Sequence, residues 1–140
     1  MATLQCEVVT AERVVFSGQV DIVVAPGIEG TIGVLPRHTP LLTALKVGEL
    51  RLKLGSDEIA MAVTGGFIEV LPTGVTVLAT AAERAEEIDV SRAEQARRRA
   101  EERLADQKEH VDVERAEAAL RRSLIRLKVA QQFRTKPRKQ

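Results

Sequence analysis

The first 82 residues consist of short apolar runs that are separated by glycine and proline. In 49–54 the leucines alternate with charged residues, which places Leu50, Leu52 and Leu54 on one face of a strand. Turn signals recur about every 8 to 12 residues with no helical stretch between them, as is typical of an antiparallel sandwich or barrel. The runs that predict strands are 3–9, 14–16, 19–25, 41–45, 49–54, 59–63, 67–71 and 75–80.

The remaining residues change to a helical period, without a glycine and with a single proline near the end. Asp89 and Asp112 are suitable N-cap residues for two successive helices. The apolar stripe of the first helix consists of Ala93, Ala96, Ala100 and Leu104, and that of the second consists of Val113, Ala116, Leu120, Leu124 and Leu127. Because the connector 108–111 is short, we expect the helices to fold back as an antiparallel hairpin.

The predicted fold class is therefore a two-domain chain, β and then α. An N-terminal antiparallel β-sandwich (1–84) is followed by a C-terminal antiparallel two-helix hairpin with a basic tail (85–140). The alanine-lined stripe of the first helix permits close approach but buries little apolar area, at about 25 cal/mol per Å². We therefore expect a marginally stable hairpin beside a firmer sandwich.

Composition excludes several classes of protein. The 140 residues carry a net charge of +1, so the chain is not a uniformly basic nucleic-acid-binding protein. The single Cys6 cannot form an internal disulfide or a multi-cysteine metal site. The longest uncharged stretch, 70–82, is too short for a membrane helix, and the N-terminus lacks the apolar core of a signal peptide. These patterns favour a soluble intracellular protein that can still sit on a membrane-embedded partner.

The near-zero net charge conceals an uneven distribution. Residues 1–82 hold five basic and eight acidic groups, whereas 83–140 hold sixteen basic and twelve acidic ones. The basic excess of the second part lies in the tail, at Arg134, Lys136, Arg138 and Lys139.

No catalytic or metal-binding motif stands out in the sequence. There is no phosphate-binding P-loop, and the two histidines, His38 and His110, lie in different parts of the chain. The carboxylate pairs 86–87 and 101–102 lie among arginines, where ion pairing along a helix is the ordinary explanation. The sequence therefore favours a non-catalytic protein, with no catalytic residue and no metal ligand assigned.

Arginines are arranged in rows along both predicted helices. Arg92 and Arg99 are two turns apart and nearly superposed, as are Arg115 and Arg122, with Arg126 one turn further. In a hairpin these rows could converge, and several guanidinium forks would then form a cradle for a polyphosphate. Chance alignment on an arginine-rich, solvated surface is the alternative explanation.

The run 29–43, together with Gly65-Gly66-Phe67-Ile68-Glu69-Val70 and the two-helix tail, resembles the epsilon subunit of bacterial F-type ATP synthases. The resemblance covers essentially the whole chain. It implies a rotor subunit whose sandwich docks on the gamma subunit and the c-ring, with contacts from Glu29, Gly30, Thr31 and His38. It also implies helices that inhibit ATP hydrolysis when they extend toward the catalytic alpha and beta subunits, and a peripheral location on the cytoplasmic side of the bacterial plasma membrane.

The resemblance further implies that ATP binds the folded hairpin as a regulatory ligand, with or without magnesium, and that no other cofactor is required. The family motif I/L-D-x-x-R-A is matched by Ile88, Asp89, Arg92 and Ala93. Ile88 and Ala93 would hold the adenine, with Asp89 as a polar partner. The remaining ATP-binding residues that it implies are Glu83, Arg99, Arg122 and Arg126.

Two departures from the family and two alternative functions accompany this interpretation. Thr31 stands where some relatives carry an acidic residue, and the tail after Phe133 is longer and more basic than usual. A stand-alone ATP-sensing module would share the site but have no partner subunits. A nucleic-acid-binding hairpin would use 97–99 and the tail. It is disfavoured by interleaved acids and because Phe133 is the only aromatic residue there for base stacking, so no nucleic-acid partner is expected.

Overall fold

The computed structural model describes residues 2–106 and 112–135, with side chains up to residue 133. His110 and the tail beyond residue 135 therefore lie outside the described residues. The chain divides into two compact units, the first being Met1–Arg84 and the second beginning at Ala85.

The first unit consists of eight β-strands, in the order β2-β1-β7-β6-β5-β3-β4, with β8 paired to β6. The pairing of β1 with β7 is parallel, and the other described pairs are antiparallel. The predicted mostly antiparallel β-sandwich is thus confirmed. The strands are β1 (Leu4–Val9), β2 (Val14–Val20), β3 (Ile22–Gly27), β4 (Gly30–Val34), β5 (Leu41–Leu54), β6 (Asp57–Leu71), β7 (Gly74–Ala79) and β8 (Ala82–Arg84).

The two long strands join the layers of the sandwich. Residues 41–45 of β5 and 66–71 of β6 belong to the layer with β7, β1 and β2, whereas their other halves pair with β3 and β8. One hydrophobic core lies between the layers. Its largest fully buried side chains are Leu50, Leu52, Met61 and Ile68 together with a set of valines.

Several predicted strand limits were wrong. The runs 41–45 and 49–54 form one strand, as do 59–63 and 67–71, because the intervening glycines bend the strands without ending them. Gly66 has φ 118°, and a side chain there would collide with the carbonyl oxygen of Leu78 on β7. The run 19–25 is divided near Asp21, and the short strands β4 and β8 were missed.

The second unit begins with a 3₁₀ turn, Ala85–Glu87, and continues as α1 (Val90–Ala105) and α2 (Val113–Thr135). Both predicted caps are confirmed: the Asp89 and Asp112 carboxylates accept hydrogen bonds from the backbone N–H of Arg92 and Arg115, each at 3.1 Å. No helix in the described part of the chain is both long and apolar enough to span a membrane.

The helices pack mainly through small residues, although Val129 of α2 is also fully buried. On α1, Ala93 and Ala100 are buried, and on α2 the row Ala116, Ser123 and Ala130 is buried. The predicted second stripe was wrong at Val113 and Leu124, which are 52% and 47% exposed. Leu124 follows Ser123 directly, so it is rotated by about 100° from the contact line. Close packing against the alanines of α1 selects small side chains on α2 rather than its leucines.

Candidate functional site

The arginine rows of the second unit have a common position relative to the helix contact. Arg92 and Arg99 each precede a buried alanine of α1, and Arg122 precedes the buried Ser123 of α2. A residue one step before the contact line is rotated by about 100° from it. Equal rotations in the same sense on two antiparallel helices point to the same face of the pair. The rows therefore converge on one face of the hairpin, here called the arginine face.

The arginine face extends beyond the residues expected to bind ATP. Arg115, which precedes the buried Ala116, is exposed at the same rotation from the contact line, and the exposed Arg103, three residues after the buried Ala100, is rotated from that line by about 60° in the same sense. Sequence spacing already relates Arg115 to Arg122. Arg103 was missed because its position depends on which residues of α1 are buried, a fact that the arginines alone do not reveal.

Most guanidinium groups of the arginine face are open to solvent and to ligands. Those of Arg92, Arg99 and Arg122 are exposed, and they make no hydrogen bond or ion pair with another described residue. Their positive charges are separated by only a few turns and repel one another, which an anion would relieve. Arg92, Arg99 and Arg122 can therefore bind an anion without first breaking a side-chain contact with another described residue.

The opposite side of α1 provides an internal contrast. Arg97 forms ion pairs with Glu94 at 2.7 Å and with Glu101 at 2.8 Å. Hydrogen bonds to these two carboxylates raise the pKa of Arg97 above its usual value. One side of α1 is thus neutralised by its own acids, while the arginine face is not.

Arg126 differs from its neighbours on the arginine face. It is half-buried, and its Nε atom is shielded from solvent, whereas Arg122 one turn earlier is exposed. A partly desolvated guanidinium interacts more strongly with a nearby anion because the local dielectric constant is lower. Arg126 is therefore the member of the row at which phosphate contact would be least screened.

The other residues of the expected motif already have structural contacts in the hairpin. Asp89 caps α1, Ala93 is fully buried, and Ile88 is buried with its N–H donating to the carbonyl of Ala85 at 3.3 Å. Their contact with adenine remains a prediction. Glu83 belongs to the first unit, on β8 opposite Ala62 of β6, and its role with ATP also remains a prediction.

The expected gamma and c-ring contacts fall in two loops of the first unit. Glu29 and Thr31 are exposed at the β3–β4 turn, around Gly30, whose φ of 140° few other residues adopt. His38 is half-exposed in the loop after β4, with Nδ1 at 2.6 Å from the carbonyl oxygen of Thr39. Their contacts with the gamma subunit and the c-ring remain a prediction.

Sequence reasoning missed an apolar row on the outer face of the sandwich. Phe67 and Leu78, directly opposite each other, are 54% and 52% exposed. Strand pairing continues this row across five strands; from β5 to β2 its members are Ala44, Phe67, Leu78, Val9 and Val14. A contiguous exposed apolar row of this kind marks an interaction surface.

The neighbouring row on the same face is polar. It begins at the exposed Leu42 and continues through Glu69, Thr76, Glu7 and Ser17 on the successive strands. The outer face therefore combines an apolar strip with two carboxylates beside it. Such a surface fits a partner that offers apolar side chains flanked by basic groups.

Comparison with known proteins agrees with this architecture. Residues 3–85 match the family "ATP synthase, Delta/Epsilon chain, beta-sandwich domain", and residues 86–131 match the "ATP synthase, Delta/Epsilon chain, long alpha-helix domain". The chain belongs to the ATP synthase delta/epsilon family, in its bacterial F-type epsilon branch. An epsilon chain is a structural and regulatory subunit, not the catalytic one.

Two relatives illustrate the match. The ATP synthase epsilon chain of Pelotomaculum thermopropionicum is 63% identical over 130 residues, which is 93% of this chain and 97% of the relative. That of Dehalococcoides mccartyi is 53% identical over 138 residues, or 98% and 99% of the two chains. A chain from the Euglena gracilis mitochondrial ATP synthase shares the fold, with a TM-score of 0.76 at 23% identity, covering 86% of this chain and 77% of that one.

Proposed function

We propose that this chain is a rotor subunit of the ATP synthase, which couples the gamma subunit to the c-ring and inhibits ATP hydrolysis through its C-terminal helices. ATP binding to the folded hairpin is the regulatory signal. The observation that carries the ATP part of the proposal is the arginine face, whose exposed members have no acidic partner among the described residues. Family membership supports the rotor part.

The first unit supplies the docking surfaces. The apolar row from Ala44 to Val14 is the surface proposed for the gamma subunit, because it is continuous and exposed on a rigid sheet. The β3–β4 turn at Glu29 and Thr31, with His38, is proposed for the c-ring. Docking in this way would hold the subunit at the periphery of the bacterial plasma membrane, on its cytoplasmic side.

Phe67→Glu tests the docking surface. We expect at least about a tenfold loss of affinity for the gamma subunit, because an aromatic side chain at the centre of an apolar interface contributes about 2 kcal/mol or more. The control is Leu54→Glu, which introduces the same charge at an exposed leucine outside the row. Binding of each purified variant to immobilised gamma subunit is measured. Equal affinity for both variants would remove the apolar row from the proposal.

The second unit supplies the nucleotide site. Each exposed guanidinium of the arginine face can donate two parallel hydrogen bonds to phosphate oxygens. Arg92 and Arg99 would approach the phosphates from α1, and Arg122 and Arg126 from α2. Magnesium, when present, would be carried by the phosphates themselves. A ligand held by both helices stabilises only the arrangement in which they are folded together.

Regulation then follows from mass action. A ligand that binds one of two states stabilises that state by about 2.7 kcal/mol at one hundred times its dissociation constant. Helices whose buried residues are mostly alanine and serine bury little apolar area for each position, so a change of this size can decide whether they stay together. When ATP is depleted, the released helices would offer their arginines to acidic surfaces of the alpha and beta subunits.

Calorimetric titration of ATP into the full chain tests the nucleotide site. We expect Arg92→Ala and Arg126→Ala each to weaken binding by about tenfold or more, since a hydrogen bond to a charged group contributes about 1.5 to 3 kcal/mol. Arg98→Ala is the matched control, because Arg98 is exposed on α1 away from the arginine face. Circular dichroism checks that the helices remain intact. ATP affinity that is unchanged in both variants would refute the site.

A further inference from the structure

The last residue of the first unit is held by its side chain. The Nε and Nη2 atoms of Arg84 both donate hydrogen bonds to the carbonyl oxygen of Val15, at 3.1 and 2.7 Å. The guanidinium also lies over the ring of Phe16, 5.9 Å from its centroid, within the range of a cation–π contact. Arg84 thus joins the end of β8 to the edge strand β2, although the two residues are 69 positions apart in sequence.

The carbonyl of Val15 is available because β2 bulges at this point. Val8 pairs with Phe16 and Val9 with Val14, so Val15 is skipped in the register with β1. A bulge leaves the extra residue out of the ladder, and its carbonyl can then accept from another group. Here the carbonyl of Val15 accepts both hydrogen bonds from the guanidinium of Arg84.

The ring of Phe16 is held in place from the side of its own strand. A Cβ atom at Gly18 would lie 3.3 Å from the Phe16 ring, so the absence of a side chain at Gly18 makes room for the aromatic ring. Phe16 also packs against the hydrophobic core. The ring is therefore a fixed platform for the guanidinium of Arg84.

The strand that ends at Arg84 needs such support. β8 has only three residues, and they pair with Met61, Ala62 and Val63 of β6. A three-residue strand is at the lower limit of strand length and opens readily by itself. The division between the two units falls directly after Arg84.

We propose that Arg84, Val15 and Phe16 form a latch that fixes the end of the first unit, so that the joint between the units starts at Ala85 and β8 stays paired when the helices move. Arg84 is a positioning residue in this role. The existence of the latch does not depend on the proposed function. The effect of the latch on regulation rests on the proposed function. With β8 latched, movement of the helices would be confined to the residues after Arg84 and would not unravel the sandwich.

Hydrogen exchange of the full-length chain, followed by mass spectrometry without nucleotide, tests the latch. In Arg84→Ala we expect the amides of β8 to exchange about tenfold faster or more, while those of β7 are unchanged, because a charge-assisted hydrogen bond contributes about 1.5 to 3 kcal/mol. Lys46→Ala, which removes another cation at an exposed position of β5, is the control and should leave β8 unchanged.

Two further variants separate a latch from a general loss of stability. Arg84→Lys keeps the positive charge but lacks the two donor groups of the guanidinium, so the amides of β8 should exchange at an intermediate rate. This variant replaces Arg84→Ala in the test if Arg84→Ala does not fold. Phe16→Leu keeps the hydrogen bonds and should have a smaller effect. Exchange of β8 that is unchanged in the Arg84 variants, or that rises equally in every strand, would overturn the proposal. ATP titration is a separate measurement, so failure of the nucleotide site would leave this result unaffected.

Discussion

The two units of the chain are packed in different ways. The core of the sandwich consists of large aliphatic side chains such as Leu50, Leu52 and Ile68, which are fully buried between two layers. The buried positions of the two helices are mostly alanines and Ser123, with Val129 as their one fully buried larger side chain among the described residues. Since stabilisation scales with the apolar area removed from water, at about 25 cal/mol per Å², the same number of buried positions stabilises the hairpin less than the sandwich. The difference fits the proposal of a rigid docking unit joined to a helical unit that ATP switches.

Truncation of a core side chain in the sandwich should cause the largest loss of stability among these predictions. Leu52→Ala is expected to destabilise the first unit by about 2 to 5 kcal/mol, because it leaves a cavity in a closely packed core. Leu54→Ala, on the same strand but 47% exposed, is the control and should cost far less. Urea unfolding measures both. If the two variants lose equal stability, the contrast between buried and exposed leucines does not determine the stability of this unit.

Enlarging a buried side chain of the helices should destabilise the second unit without affecting the first. Ala100→Leu is expected to weaken helix packing by about 1 to 3 kcal/mol, since the alanine is 2% exposed and the added atoms of leucine would have to displace its neighbours. Thermal loss of helical circular dichroism should move to lower temperature while the sandwich is unchanged. Ala105→Leu, at the exposed end of α1, is the control. A simultaneous loss of the sandwich would show that the units do not unfold separately.

A third effect concerns the buried thiol of the sandwich at high pH. Burial raises the pKa of Cys6 from 9.0 to about 12. The unfolded chain loses this proton first, so the stabilisation is fully present below pH 9.0 and falls as pH rises toward 12, by at most about 1.4 kcal/mol per pH unit.

Urea unfolding of the wild type and of Cys6→Ala at about pH 8 and about pH 10.5 measures this contribution. The wild type should lose more stability than the variant over that interval. An identical loss in both proteins would assign the alkaline sensitivity to other groups.

The features that were predicted from sequence depend on local chemistry. Asp89 and Asp112 start the two helices because a carboxylate can accept from the N–H three residues later, whatever the rest of the chain does. The alternation in 49–54 placed Leu50 and Leu52 in the core for the same local reason, although Leu54 at the strand end is exposed.

The features that were missed depend on partners far away in sequence. Gly65 and Gly66 suggested a turn that ends the strand, but pairing with β5 and β7 keeps β6 one continuous strand across them. The apolar row could not be assembled from single strands, since Phe67, Leu78 and Val9 become neighbours only through the register of three strands. The arginine rows were visible in the sequence because the spacing along a helix is local. Their position relative to the helix contact was not visible, because it depends on which residues of each helix are buried.

The parallel pairing of β1 with β7 also sets an order of events during synthesis. β1 lies between β2 and β7, so its second edge stays unpaired until residues 74–78 have been made. Closing a contact across some seventy residues is slow compared with forming a helix turn by turn. Since domains generally fold as units from the N-terminus during translation, the sandwich can be completed before the arginine-rich helices emerge. The nascent chain would then acquire the proposed docking surface before the helices that are proposed to inhibit hydrolysis.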